Sequence, residues 1–132
     1  SVAMKKREWY RPVAPVMLAK NLPGVCPGNH ADNLSHFMLR DFTIPPEKRH
    51  ILRGVIHVDQ TSRIQTLNRR EDNPYLFDLL TFLGEQHQVR ALLNTSFNAP
   101  GKPIVHTSAD AYEEARTMGI RNLVVNGQLK RL

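Results

Sequence analysis

The sequence predicts a mixed α/β domain, and three observations predict it. Short apolar runs bounded by polar and turn residues recur along the chain, as strands buried on both faces require. Two other segments repeat their apolar residues at spacings of three and four, the period of one helix face. In the second half the two kinds interleave as strand, strand, helix, strand, loop, helix, strand, an order that calls for a mixed sheet flanked by helices. At 132 residues a single compact domain covering residues 1–132 is expected.

The strand expectations fall on residues 35–44, 51–58, 63–67, 89–93 and 122–125. The first helix is expected to open at Asn73-Pro74, an N-cap followed by proline at the first helical position. Leu76, Leu79, Leu80 and Leu83 then form its apolar face. The second opens at Thr107-Ser108, with Asp110 completing a capping box, presents Ala111, Ala115 and Met118, and stops before Gly119. Proline and glycine concentrate in residues 12–28, at Pro45-Pro46 and in residues 98–103, which read as loops.

Composition narrows the function classes. The chain is 41% hydrophobic and 23% charged, as in an ordinary globular protein. No apolar run approaches the length of a membrane span. Ser1 to Met4 has no apolar signal core, so a cytoplasmic location is expected. The single cysteine, Cys26, excludes an internal disulfide and reads as a bystander, with no activating partner in its Pro- and Gly-rich surroundings. Eighteen Lys and Arg against twelve Asp and Glu give a net charge of +6, which favours anionic ligands. The six histidines are scattered, and no CxxC pair or HExxH is present, so no metal site is expected within the chain. No phosphate loop of the Walker type is present either.

Three clusters carry chemistry-bearing residues. In Lys5-Lys6-Arg7-Glu8, with Arg11 beyond, Lys5 and Arg7 project to one face of an extended segment. Such a pair grips a phosphate or carboxylate by a point charge and a bidentate fork. The second cluster, His57-Val58-Asp59-Gln60-Thr61-Ser62-Arg63-Ile64-Gln65, is dense in polar groups. A turn at 60–62 would bring His57, Asp59 and Arg63 near one another, with Arg63 neutralising phosphate, Asp59 orienting Arg63 or accepting from a hydroxyl, and His57 an acid–base group. A hairpin whose polar residues satisfy their own backbone is the alternative. The third, Asn94-Thr95-Ser96-Phe97-Asn98, follows an apolar strand with short side chains suited to cradle an anion or nucleotide. Ser96 reads as an orienting donor rather than a nucleophile, because no base adjoins it in sequence.

Taken in order, these clusters resemble the C-terminal domain of the NodU/CmcH family of O-carbamoyltransferases. The residues that carry the resemblance are Lys5-Lys6-Arg7-Glu8-Trp9-Tyr10-Arg11-Pro12-Val13-Ala14-Pro15, His57 through Thr66, Asn94 through Asn98, and Gly101-Lys102-Pro103-Ile104-Val105 followed by Asp110-Ala111. That domain is similar to the YrdC-like fold, a twisted mixed sheet flanked by helices, whose K-x-R and S-x-N signatures correspond to Lys5 with Arg7 and Ser96 with Asn98. The resemblance implies that the chain is a somewhat shortened piece of a longer protein. It implies binding of ATP, with Mg²⁺ on the nucleotide, and of carbamoyl phosphate, and formation of a carbamoyl-adenylate. A companion actin- or sugar-kinase-like domain would then transfer the carbamoyl group to a substrate hydroxyl. On this reading Lys5, Arg7, Arg63 and Ser96 serve catalysis, and Arg11, His57, Asp59, Thr61, Asn94, Thr95 and Asn98 bind ATP and carbamoyl phosphate. The alternative is an RNA- or nucleotide-binding YrdC-like module without catalysis of its own, suggested by the positive charge.

Overall fold

The computed structural model describes residues 13–28 and 34–132. The described residues belong to two compact units, 13–94 and 95–132. The fold class is mixed α/β, as expected from the interleaved periods.

In residues 13–94 a mixed three-stranded sheet is organised around β1 (Ala14–Leu18). The later strands of this unit are β2 (Phe42–Thr43), β3 (Thr61–Ser62), β4 (Gln65–Leu67) and β5 (Ala91–Asn94). β1 pairs parallel with β4, setting Val16 beside Gln65, and antiparallel with β5, setting Ala14 opposite Asn94 and Val16 opposite Leu92. Val16, Met17 and Leu18 are each at most 2% exposed, so β1 is buried on both faces, which explains its unbroken apolar run. The concentration of proline and glycine over residues 12–28 predicts a loop here instead. Proline is rare inside central strands, having no N–H for the ladder, yet Pro15 stands opposite Leu93 within β1.

Two expected strands fold otherwise. Within residues 35–44 only β2 is extended, and it pairs antiparallel with β3. Leu34–Phe37 instead forms a 3-10 turn, and Met38 adopts a positive φ of 56° that no strand accommodates. Residues 51–58 form consecutive turns, with amides of Ile51, Leu52 and Val55 bonded to the carbonyls of Lys48, Arg49 and Leu52. Their buried residues, Leu52 and Val55, stand three apart, so the run has the period of a tight helical turn. These residues pack with Met17, Leu22, Val25, Phe42, Ile44 and Ile64 in one core cluster.

Helix α1 (Pro74–His87) begins where the sequence places it. The side chain of Asn73 accepts the Leu76 amide at 3.1 Å, and Pro74 occupies the first turn. Gln88, at φ 57°, closes it by returning its N–H to Leu83. Leu80 is the fully buried member of the predicted face and packs with Val16, Leu18 and Leu67, while Leu76, Phe77 and Leu92 cover that cluster. Before the helix, Arg70 grips Asp78 through two hydrogen bonds of 2.8 and 2.6 Å.

In residues 95–132, α2 (Ser108–Thr117) opens on the predicted capping box between Thr107 and Asp110 and is followed by Gly119 at φ 68°. β6 (Asn122–Val125) and β7 (Gln128–Arg131) form an antiparallel hairpin. The two-residue turn is Asn126-Gly127, both at positive φ, 50° and 75°. Asn-Gly is the strongest short hairpin signal, and it marks the β7 strand that the sequence reading omitted. Among the described residues no helix is long and apolar enough to cross a membrane.

Candidate functional site

The segment His57 to Arg63 leaves the stacked turns, reverses at 58–60 and enters β3. The reversal is closed by His57 N–H to Thr61 O at 2.7 Å and Gln60 N–H to His57 O at 3.0 Å, with Gln60 at φ 70°. Asp59 is the organiser. Its Oδ1 accepts both the Thr61 amide at 3.0 Å and the Thr61 hydroxyl at 2.7 Å, an Asx turn doubled by the threonine. These hydrogen bonds hold the Asp59 carboxyl below the ordinary carboxylate range.

Thr61 also fixes the imidazole. Its oxygen lies 3.0 Å from His57 Nδ1. The single hydroxyl proton is committed to Asp59, so Nδ1 donates to the threonine oxygen and the neutral ring carries its proton there. Nε2 of His57 is buried and has no hydrogen-bond partner among the described residues. A buried polar atom in that condition costs about 1–3 kcal/mol, and such groups concentrate where a ligand or water completes the site.

The His57 ring borders a cleft of about 440 Å³ lined by Arg49, His50, Arg53, Ile56, His57 and Gln60. Among the described residues no carboxylate lines it. Arg49 is anchored by its Nε donating to Ile44 O at 3.1 Å, which leaves the outer guanidinium nitrogens facing away from that bond. Arg49, His50 and Arg53 are not among the sequence candidates: Arg53 falls in the expected strand 51–58, and Arg49 and His50 before it read as solvated basic surface and a scattered histidine. The signal was present as Lys48-Arg49-His50 and Arg53, three or four apart, the spacing that gathers side chains on a helical turn.

Arg63 does not join Asp59. Ser62 and Ile64 on either side of it are fully buried, which turns Arg63 toward solvent, and its Nε pairs with Asp41 at 3.4 Å with both side chains about half exposed. Of the two roles expected for Asp59, it does not orient Arg63 but accepts from a hydroxyl, that of Thr61.

Asn94 closes β5. Its Nδ2 donates to Oε1 of Gln65 on β4, and Gln65 Nε2 donates to His36 O at 3.3 Å. Two of the three sequence clusters thus meet in one hydrogen-bonded chain within residues 13–94. In residues 95–132, the Ser96 hydroxyl donates to Asn98 Oδ1 at 2.6 Å, and Asn98 Nδ2 donates to Lys102 O at 2.8 Å. The serine proton is given to an amide oxygen, which is no base. Thr95 is exposed at the start of this segment. Lys5, Arg7 and Arg11 lie outside the described residues.

Cys26 is buried, its thiol donates to Thr43 O at 3.4 Å, and burial pushes its pKa up, so it is held as a thiol. Among the described residues no group of three or more His, Cys, Asp or Glu is placed to hold a metal ion.

Fold and site together define a mixed α/β protein whose cationic cleft adjoins a histidine locked by a threonine and an aspartate. The family model described as "Carbamoyltransferase C-terminus" matches residues 1–131, and the chain belongs to that family. It is 36% identical to the nodulation protein NolNO of Sinorhizobium fredii, across 96% of this chain and 18% of that protein. It is 34% identical to a 3'-hydroxymethylcephem-O-carbamoyltransferase of Amycolatopsis lactamdurans, across 92% of this chain and 22% of that protein. An uncharacterised protein of Methanocaldococcus jannaschii is 34% identical across 80% of this chain and 20% of its own length. The chain thus spans between 18% and 22% of the length of these curated relatives.

Proposed function

We propose that this chain is the ATP- and carbamoyl-phosphate-binding part of an O-carbamoyltransferase, which forms a carbamoyl-adenylate for a companion domain to transfer to a substrate hydroxyl. The observation that carries the reading is the family match over residues 1–131. The small share of the relatives that this chain covers supports a companion domain in the whole protein.

The chemistry needs cationic help. Hydrolysis of carbamoyl phosphate releases phosphate and leaves carbamate, whose oxygen attacks the α-phosphorus of ATP as pyrophosphate departs. Both reactants are polyanions, and their approach is opposed by like-charge repulsion that an enclosed site of low dielectric intensifies. Arg49 and Arg53, facing a cleft with no carboxylate among the described residues of its wall, supply fixed positive charge. Lys5, Arg7 and Arg63 add to it on this reading. His57, with Nδ1 held by Thr61, adds its ring to the cleft wall, and its buried Nε2 lacks a hydrogen-bond partner among the described residues. Asn98, Asn94 and Thr95 orient carbamoyl or α-phosphate oxygens, and Ser96, its proton given to Asn98, accepts from the carbamoyl amide. Mg²⁺ enters as part of the nucleotide substrate, neutralising its phosphates.

Calorimetric titration of the chain with MgATP and with carbamoyl phosphate tests the proposal. Saturable binding of both, with pyrophosphate released only when both are present, supports it. A folded chain that binds neither rejects it. The RNA-binding reading draws on the same cationic cleft. It predicts duplex RNA affinity that falls steeply with salt, and anisotropy showing no such binding removes it.

A further inference from the structure

Glu114 stands out in the second compact unit as a charged side chain only 5% exposed, on a helix whose other carboxylates face water. Its carboxylate reaches the loop that follows Asn98. Oε1 accepts the backbone N–H of Ala99, itself 7% exposed, and Oε2 pairs with Lys102 Nζ at 3.0 Å. The same lysine's carbonyl accepts Asn98 Nδ2 at 2.8 Å, and Asn98 Oδ1 accepts the Ser96 hydroxyl at 2.6 Å. One continuous path therefore runs Ser96, Asn98, Lys102, Glu114, and Glu114 returns to the residue next to Asn98. The loop is also closed by Lys102 N–H to Ala99 O at 3.2 Å and Val105 N–H to Phe97 O at 3.0 Å, with Gly101 at φ 75°.

We infer that Glu114 and Lys102 are positioning residues that set the rotamer of Asn98, and through it the direction of the Ser96 hydroxyl, so that Ser96 turns its lone pairs to a ligand N–H donor. This deepens the proposed function and rests on its assignment of Ser96 and Asn98. The physical reason is that an asparagine amide has two nearly equivalent faces. With Nδ2 pinned on the Lys102 carbonyl, Oδ1 must face Ser96, and the serine then presents oxygen lone pairs rather than its proton to other directions. A ligand donor, such as the carbamoyl amide, is matched by those lone pairs. Without the clamp at 99–102 the amide rotates and the match is lost. A buried carboxylate anchored on helix α2 does this more rigidly than solvent-exposed loop contacts would.

A double-mutant cycle on MgATP and carbamoyl phosphate affinity, read by calorimetry, tests it, with circular dichroism to verify the fold. Asn98→Ala and Glu114→Gln each weaken binding of at least one ligand about tenfold, the cost of a misplaced contact. In the Asn98→Ala background Glu114→Gln adds no further loss, because it acts through that side chain. Lys102→Arg retains affinity, whereas Lys102→Met reproduces Glu114→Gln. The matched control on the same helix, Glu113→Gln, leaves binding unchanged. Additive losses in the cycle, or an equal loss in the control, overturn the inference while leaving Asn98 a ligand contact. If Glu114→Gln fails to fold, the Lys102 pair decides: equal affinity in Lys102→Met and Lys102→Arg overturns it. Unchanged affinity in Asn98→Ala instead overturns the assignment of Ser96 and Asn98, and the inference with it.

Discussion

The side-chain amide of Asn94 donates a hydrogen bond to Oε1 of Gln65, joining the two outer strands of the sheet across β1. The contact follows from register. Ala14 and Val16 are two apart on β1, so their neighbours Asn94 and Gln65 project from one face. Gln65 then hands its own N–H₂ to the His36 carbonyl, so the end of β5, β4 and the 3-10 turn at Leu34–Phe37 are tied by two amides.

Gln65→Ala should lower stability by about 1 kcal/mol, the usual worth of a hydrogen bond in a half-buried setting. Asn94→Ala should cost a similar amount, and the pair should be less than additive. Urea unfolding of the two single variants and the double variant measures the coupling. Full additivity would show that the amides stabilise independently.

Thr61→Val preserves shape and removes the hydroxyl that lies between Asp59 and His57. The His57 ring should lose its fixed Nδ1–H tautomer and become a mixture. Nitrogen-15 NMR of the imidazole reads this directly. A ring that keeps the same tautomer in Thr61→Val would show that the hydroxyl is not its determinant.

The cleft beside His57 should depend on its two arginines. Arg49→Ala with Arg53→Ala should weaken carbamoyl phosphate or MgATP binding by about tenfold or more and flatten its dependence on salt. Arg63→Ala alone should have the smaller effect, since Arg63 is already paired with Asp41. Calorimetry at two ionic strengths distinguishes these outcomes.

Acid should weaken the second unit through its carboxylates. Lys102 first, then the Ala99 amide, holds the Glu114 pKa down, and the Thr107 amide and hydroxyl do the same for Asp110. A carboxylate whose folded pKa lies below its unfolded value stabilises fully above the unfolded value. That stabilisation is lost as pH falls through the folded value. Thermal melts between about pH 5 and pH 2 should fall less steeply in Glu114→Gln than in the wild type. Parallel curves would show that the clamp contributes nothing to acid stability.

Asn73→Ala should cost about 1 kcal/mol by removing the cap on the Leu76 amide. It should leave ligand affinity unchanged, because Asn73 belongs to no part of the proposed site. A loss of affinity in a folded Asn73→Ala chain would place the start of α1 at the ligand.

Local chemistry was legible wherever it was strong enough to act alone. Asn73-Pro74 and Thr107 with Asp110 start helices by capping orphan amides within a few residues, so both starts could be placed from sequence. The polar turn at His57 to Arg63 was recognised as a cluster, but not its wiring. Whether Asp59 serves Arg63 or Thr61 depends on which residues the core claims, and burial of Ser62 and Ile64 decides it.

What the sequence by itself determined is therefore the fold class, both helices and the family, because capping, periodicity and ordered motifs are short-range properties of the chain. Tertiary structure alone decided that residues 14–18 are the central strand and that residues 51–58 coil into turns. It also gathered Arg49 and Arg53 beside His57 and set Glu114 against the loop after Asn98. The physical reason is that these outcomes depend on partners 12 or more residues away, or on which side of a run the core covers, and no local propensity encodes either.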